Sequence, residues 1–218
     1  MKAWLAVLAL TATFAQAAPI DELVTAAEMN DPRIVRALLA KGVDPNLADA
    51  RGRTALFTAV REGSQQALEG LLAAPQLDVN AVNANGETPL MLAAIRGALP
   101  AARALVKRGA AVNRKGWTPL HYACSGPDNG VAAFLIASGA ELNARSDNGT
   151  TPLMMAARYG NGDLVPLLLK AGAEPRAANE QELTAADFAQ RGGRDRMAAE
   201  LKQAMADAAK AAAAASAK

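Results

Sequence analysis

Thr88-Pro89-Leu90 returns as Thr118-Pro119-Leu120 and again as Thr151-Pro152-Leu153. Degenerate copies stand at Thr54-Ala55-Leu56 and Thr184-Ala185-Ala186, and Asp21-Glu22-Leu23 occupies the same frame. The onsets at 21, 54, 88, 118, 151 and 184 are separated by 33, 34, 30, 33 and 33 residues. A fixed period of that size marks an architecture of stacked supersecondary units. Further landmarks keep phase with the onsets. A small pair follows five residues on, as in Ala26-Ala27, Ala59-Val60, Ala93-Ala94, Ala123-Cys124 and Ala156-Ala157. Asn30, Gly63, Gly97, Gly160 and Gly193 stand nine residues after their onsets. A leucine-rich stretch, then Gly42, Gly109, Gly139 or Gly172, then Asn46, Asn80, Asn113 or Asn143 complete most of the frames.

Each position has its own physical reading. Threonine before proline caps a first helix: its hydroxyl accepts from an orphan N–H, and proline at the first helical position gives up a donor it did not need. Paired small residues let neighbouring helices approach closely. Gly or Asn at the ninth position supplies the left-handed turn that β-carbons resist. The leucines form the buried stripe of a second helix, the later glycine ends it, and the Asn-containing run projects as a hairpin finger. A single unit cannot bury its own apolar face, so stacking creates the core.

These frames resemble the ankyrin family from about Asp21 to Leu201. The resemblance implies an all-α solenoid of stacked helix-turn-helix units with short β-hairpin fingers. It also implies a binding surface on a concave face made of finger tips and the exposed side of the first helices. Histidine after Thr-Pro-Leu, as at His121, is then expected to bond the backbone of a neighbouring turn. Departures from the pattern are specific. The finger before Thr118 is three residues shorter than its neighbours, and Gly126-Pro127-Asp128-Asn129-Gly130 replaces the usual turn, so the second helix of that repeat should begin late. The organisation expected is a leader over 1–17, a repeat domain over 18–203 whose first and last units act as caps, and an Ala/Lys-rich tail over 204–218.

The leader is read from Lys2, the apolar run Ala3 to Leu10, and Ala15-Gln16-Ala17, the small-x-small pattern of a cleavage site, with the cut between Ala17 and Ala18. The run is shorter than the ~20 residues of a bilayer span, so no membrane association is expected after cleavage. Export to a bacterial periplasm is the expected destination, with secretion beyond the cell as the alternative. Hydrophobic residues make up 51% of the chain and aromatics 4%, a balance suited to closely packed small helices. A net charge of +2 gives no reason to expect nucleic acid as a partner. One cysteine and one histidine exclude an internal disulfide and a His-rich metal site. No cofactor, metal or catalytic residue is expected. His121 and Cys124, three apart on one helix, are the nearest thing to a thiol–imidazole dyad, and the family assigns both positions structural roles.

The function expected is a protein-binding scaffold, acting as a monomer. The alternatives are an effector that engages host proteins and an enzyme built on His121 and Cys124. Projecting the repeat frames onto the concave face places Arg51, Arg53, Asn85, Glu87, Arg114, Lys115, Trp117, Asp147 and Thr150 on the fingers. Arg61, Glu62, Ile95, Arg96, Arg158 and Tyr159 fall at first-helix ends. Basic residues outnumber acidic ones in this set, which suits a mildly acidic partner. Trp117 precedes a capping threonine on the one shortened finger, where it either anchors a partner or folds over the gap left by the missing residues.

Overall fold

The computed structural model describes residues 19–216; the expected leader lies outside the described residues. The chain is an all-α repeat solenoid. A helix over residues 19–28 (α1) is followed by Pro32–Ala40 (α2), Ala55–Glu62 (α3), Gln65–Leu72 (α4), Pro89–Ile95 (α5) and Leu99–Lys107 (α6). Pro119–Ala123 (α7), Gly130–Ala137 (α8), Pro152–Tyr159 (α9), Leu164–Ala171 (α10), Ala185–Arg191 (α11) and Asp195–Ser216 (α12) complete the order. Odd-numbered helices are the first helices of the repeats and even-numbered ones the second. The described chain falls into two compact units, one running to Ala93 and including Pro100–Ala110, the other comprising Ala94–Leu99 and everything from Ala111. In the first unit α2 and α3 both pack on α4. In the second, α7 packs on α8 and α9, and α11 on α9 and α12.

The helices begin where the sequence places a cap. Thr54, Thr88 and Thr151 each accept, through Oγ1, the amide N–H three residues on, at 3.3–3.4 Å. The third helical position answers in kind: the sulfurs of Met91 and Met154 accept from the N–H of Thr88 and Thr151 at 3.3 and 3.4 Å. Asp187 does the same for Thr184 at 2.8 Å. The small pairs are buried throughout, Ala27, Ala93, Cys124, Ala156 and Ala157 being fully so. Leu68, Leu71, Leu105, Leu135 and Leu168 form the dry face of the second helices, each worth roughly 1.5–3 kcal/mol of burial.

Asn30, Gly63, Gly97 and Gly193 adopt positive φ as expected. Gly160 does not: its φ is −68°. Its role is close approach, since a Cβ there would meet the Ala156 carbonyl oxygen at 2.8 Å and Leu164 Cδ2 at 3.1 Å. The turn extends through Asn161-Gly162-Asp163 instead, and α10 starts two residues later in its frame than α4 or α6. In the fourth repeat α8 starts one residue late, as the altered turn implied. The hairpin fingers are too short for strands and carry single antiparallel bridges, Ala48 with Thr54 and Ala178 with Thr184. At their bases asparagines tie successive repeats. Asn46 Nδ2 donates to the Gln76 carbonyl at 2.8 Å and its Oδ1 accepts from Asp78 N at 2.8 Å. Asn113 repeats the arrangement with the Gly139 carbonyl and Glu141 N, both at 2.8 Å. The expected tail continues α12 without a break, and its residues 211–215 are exposed.

Candidate functional site

The shortened finger brings Trp117 down onto α7. Its ring meets His121 edge-on, centroids 5.3 Å apart, and Tyr122 likewise at 6.4 Å. The ring is half-buried, so it covers its own repeat and still presents a face outward. Together with Ile95 at the end of α5, and Met155 and Tyr159 on α9, it walls an open recess of about 320 Å³ floored by His121 and Ser125. Every one of these residues belongs to the second unit. Tyr159 is 53% exposed, with the Arg158 guanidinium 5.1 Å from its ring centre.

His121 is fully buried, and both ring nitrogens are engaged within the protein. Nε2 lies 2.9 Å from the Thr150 carbonyl oxygen, an acceptor, so Nε2 carries the proton. Nδ1 then accepts from the Thr118 backbone N–H at 3.1 Å and from its hydroxyl at 2.9 Å. Burial holds the imidazole below the ordinary histidine pKa and keeps it neutral. The resemblance therefore placed the histidine's bond correctly, across to the next finger. Cys124 is buried, and burial pushes its thiol far above the ordinary value. A nucleophile needs a thiolate and a free base; here the thiol stays protonated and the imidazole is fully committed. The dyad reading fails on both counts. Among the described residues no cluster of His, Cys, Asp and Glu could hold a metal ion, and no helix is long and apolar enough to cross a membrane.

The sequence-predicted binding residues separate into two sets. Ile95, Trp117 and Tyr159 line the recess, Arg158 sits in the last turn of α9, and Arg96, Arg114, Lys115 and Asp147 lie on turns and fingers of the second unit. Arg51, Arg53, Asn85, Arg61, Glu62 and Glu87 belong to the first unit. There Arg53 is a structural residue: its Nε donates to the buried Asp49 at 2.8 Å and its Nη1 to Glu28 at 3.2 Å. Burial alone would raise the Asp49 carboxyl, but the Arg53 and Arg51 amides and the guanidinium hold it below the usual range. Arg61 pairs with Glu62 at 2.7 Å, and Glu87 accepts from Asn83 Nδ2 at 2.8 Å. Thr150 is not a finger-tip contact; it is buried, with its carbonyl serving His121. Frame projection missed Tyr122 and Met155. Both stand four residues after an onset, a slot that also holds Leu92 and Phe188 and is half-buried in all four repeats. A large apolar residue recurring at a partly solvent-facing position was the available signal.

Models of ankyrin repeats match residues 21–83 and 71–146 (a three-copy model) and 135–189 (a many-copy model). The chain belongs to the ankyrin-repeat family. Among curated relatives, this ankyrin chain is 32% identical over 93 residues to protein phosphatase 1 regulatory subunit 27 of Mus musculus, covering 41% of this chain and 60% of the relative. It is 30% identical over 111 residues to ankyrin repeat and SAM domain-containing protein 6 of Rattus norvegicus, covering 49% of this chain and 12% of the relative. The match thus spans less than two thirds of either relative's length. Among solved structures it superposes with a TM-score of 0.71 and 29% identity on one chain of the Bd0816 predatory endopeptidase from Bdellovibrio bacteriovorus in complex with immunity protein Bd3460. That alignment covers 84% of this chain and 97% of the other. This ankyrin chain is a non-enzymatic protein-binding scaffold.

Proposed function

We propose that the chain is an exported, periplasmic ankyrin scaffold that occupies an envelope or exported protein, as a monomer, through the finger and first-helix surface around Trp117. The aromatic recess carries this reading. It is an outward-facing apolar cavity with no titratable group able to do chemistry, the form of a recognition pocket. An exposed Tyr, a half-buried Trp and an arginine are the residue types that dominate binding energy at protein interfaces. Two further observations support the reading. The N-terminal sequence has the charge, apolar run and cleavage pattern of an export leader. The solved neighbour comes from a complex of an endopeptidase with an immunity protein, so restraint of an exported enzyme is the form of binding favoured here.

The test is affinity capture from envelope extract by the full chain expressed in its own cells. The expected result is a processed protein beginning at Ala18 in the periplasmic fraction, and a captured protein whose recovery falls by about tenfold or more with Tyr159→Ala. Because Tyr159 is more than half exposed, this variant should melt within about 2 °C of the parent. A protein retained in the cytosol with Met1 intact, or capture indifferent to Tyr159, overturns the proposal.

A further inference from the structure

The chemistry of the recess says what kind of segment it takes. Its floor offers no directional polar partner from the imidazole, because both nitrogens of His121 are already bonded to Thr118 and Thr150. Ser125 Oγ donates back to the His121 carbonyl at 3.4 Å. What remains is the hydrocarbon and aromatic surface of Ile95, Trp117, Tyr122, Met155 and Tyr159. At about 320 Å³ the recess is about twice the ~150 Å³ cavity that accommodates a benzene molecule. One large apolar side chain therefore fits, with part of its own backbone.

The border is charged. Arg96 follows the lining residue Ile95, Arg158 precedes the lining residue Tyr159, and Lys115 stands two before Trp117. Arg96 stands just past the end of α5 and Arg158 in the last turn of α9, two repeats further on. The Arg158 guanidinium is held over the Tyr159 ring, so its charge is positioned at the mouth before any partner arrives. Two carboxylates also border the site. Asp128 sits against Gly97 and accepts the Gly130 amide at 2.6 Å, and Asp147 lies against Gly116. Cations thus outnumber anions, and one of those anions is already hydrogen-bonded within its own turn.

We infer that the recess takes a single large apolar side chain from an extended segment of the partner whose neighbouring residues are Asp or Glu, the carboxylates meeting Arg96 and Arg158. This rests on the scaffold reading above and adds the sequence chemistry of the partner. Apolar burial holds the anchor, and the two guanidiniums select what flanks it.

Random dodecapeptides displayed on phage and panned against the immobilised full chain test it. The enriched peptides should carry one Phe, Leu, Met or Trp within two positions of an acidic residue. A synthetic peptide of that consensus should bind about tenfold more weakly to the Arg96→Glu/Arg158→Glu variant, and more weakly at high salt. Met155→Glu, which introduces a charge into the recess, should abolish binding; the surface charge reversals stay informative if that variant folds poorly. Enrichment of basic or uncharged peptides, or binding that survives both variants, overturns the inference. So does the absence of any consensus, and if Tyr159-dependent capture of an envelope protein persists in that case, the scaffold reading stands without it. Loss of capture itself removes the scaffold reading.

Discussion

At the third helical position after the five threonine onsets stand Phe57, Met91, His121, Met154 and Asp187. Met91, His121, Met154 and Asp187 all accept the N–H of the capping threonine, by sulfur, imidazole nitrogen or carboxylate. The histidine also reaches the next repeat, through Nε2 to the Thr150 carbonyl. His121→Met should therefore keep the local cap, as in its neighbours, and lose the bond across repeats. It should cost about 0.5–1.5 kcal/mol at pH 8, because the Thr150 carbonyl loses one of two donors and keeps the Ser146 amide at 2.9 Å. The pH dependence follows from burial, which lowers the His121 pKa from 6.5. On acidification the unfolded chain takes up that proton first. His121 thus contributes full stability above about pH 6.5 and loses it as pH falls from there toward the folded value. Since this is the single histidine of the chain, urea midpoints measured between pH 8 and 5 should decline for the parent and stay nearly flat for His121→Met. A parent flat over that range would mean that the imidazole titrates normally. Asp187, held down by the Thr184 hydroxyl and amide, and Asp49 act in the same direction, but only below their ordinary value of 3.8.

At the scale of elements, the finger bases decide how one repeat holds the next. Asn113 uses both ends of its amide, giving to the Gly139 carbonyl and receiving from Glu141 N. Asn113→Ala should lose about 1–2 kcal/mol in denaturant unfolding, while Asn113→Asp should keep the Glu141 bond and lose the other. A loss below a few tenths of a kcal/mol for the alanine variant would show that water replaces the pair. The shortened finger beside it has a different consequence: it lowers Trp117 onto His121 and Tyr122 and so makes the wall of the recess. The ring covers the gap with one part and faces the recess with another.

For the whole molecule, stability in a repeat array is a sum of units and their nearest-neighbour interfaces, so the last repeat depends on α12. Leu201 is fully buried there, whereas residues 211–215 are exposed. Ending the chain after Lys210 should shift stability by about 0.5 kcal/mol or less, and Leu201→Ala should cost about 2–5 kcal/mol. Thermal unfolding of both variants decides it; a large loss from the truncation would mean the tail packs on the repeats. A partner bound at the second unit should raise the melting temperature, by an increment that grows with the logarithm of its free concentration above Kd.

The repeat period, the helix pairs, the caps, the buried small residues and the helix-ending glycines were legible in the chain itself. They depend on local sterics and on a spacing that any copy of the unit must obey. The recess was not legible in the same way. Ile95, Trp117, Tyr122, Met155 and Tyr159 come from three successive repeats, and whether they share a wall depends on a missing finger segment. Frame projection could assign residues to a face but could not say which of them are already in use. Arg53 is committed to Asp49 and Glu28, and Thr150 is buried under His121. Those choices are made by contacts between neighbouring repeats, which no periodicity encodes, and only tertiary packing decides them.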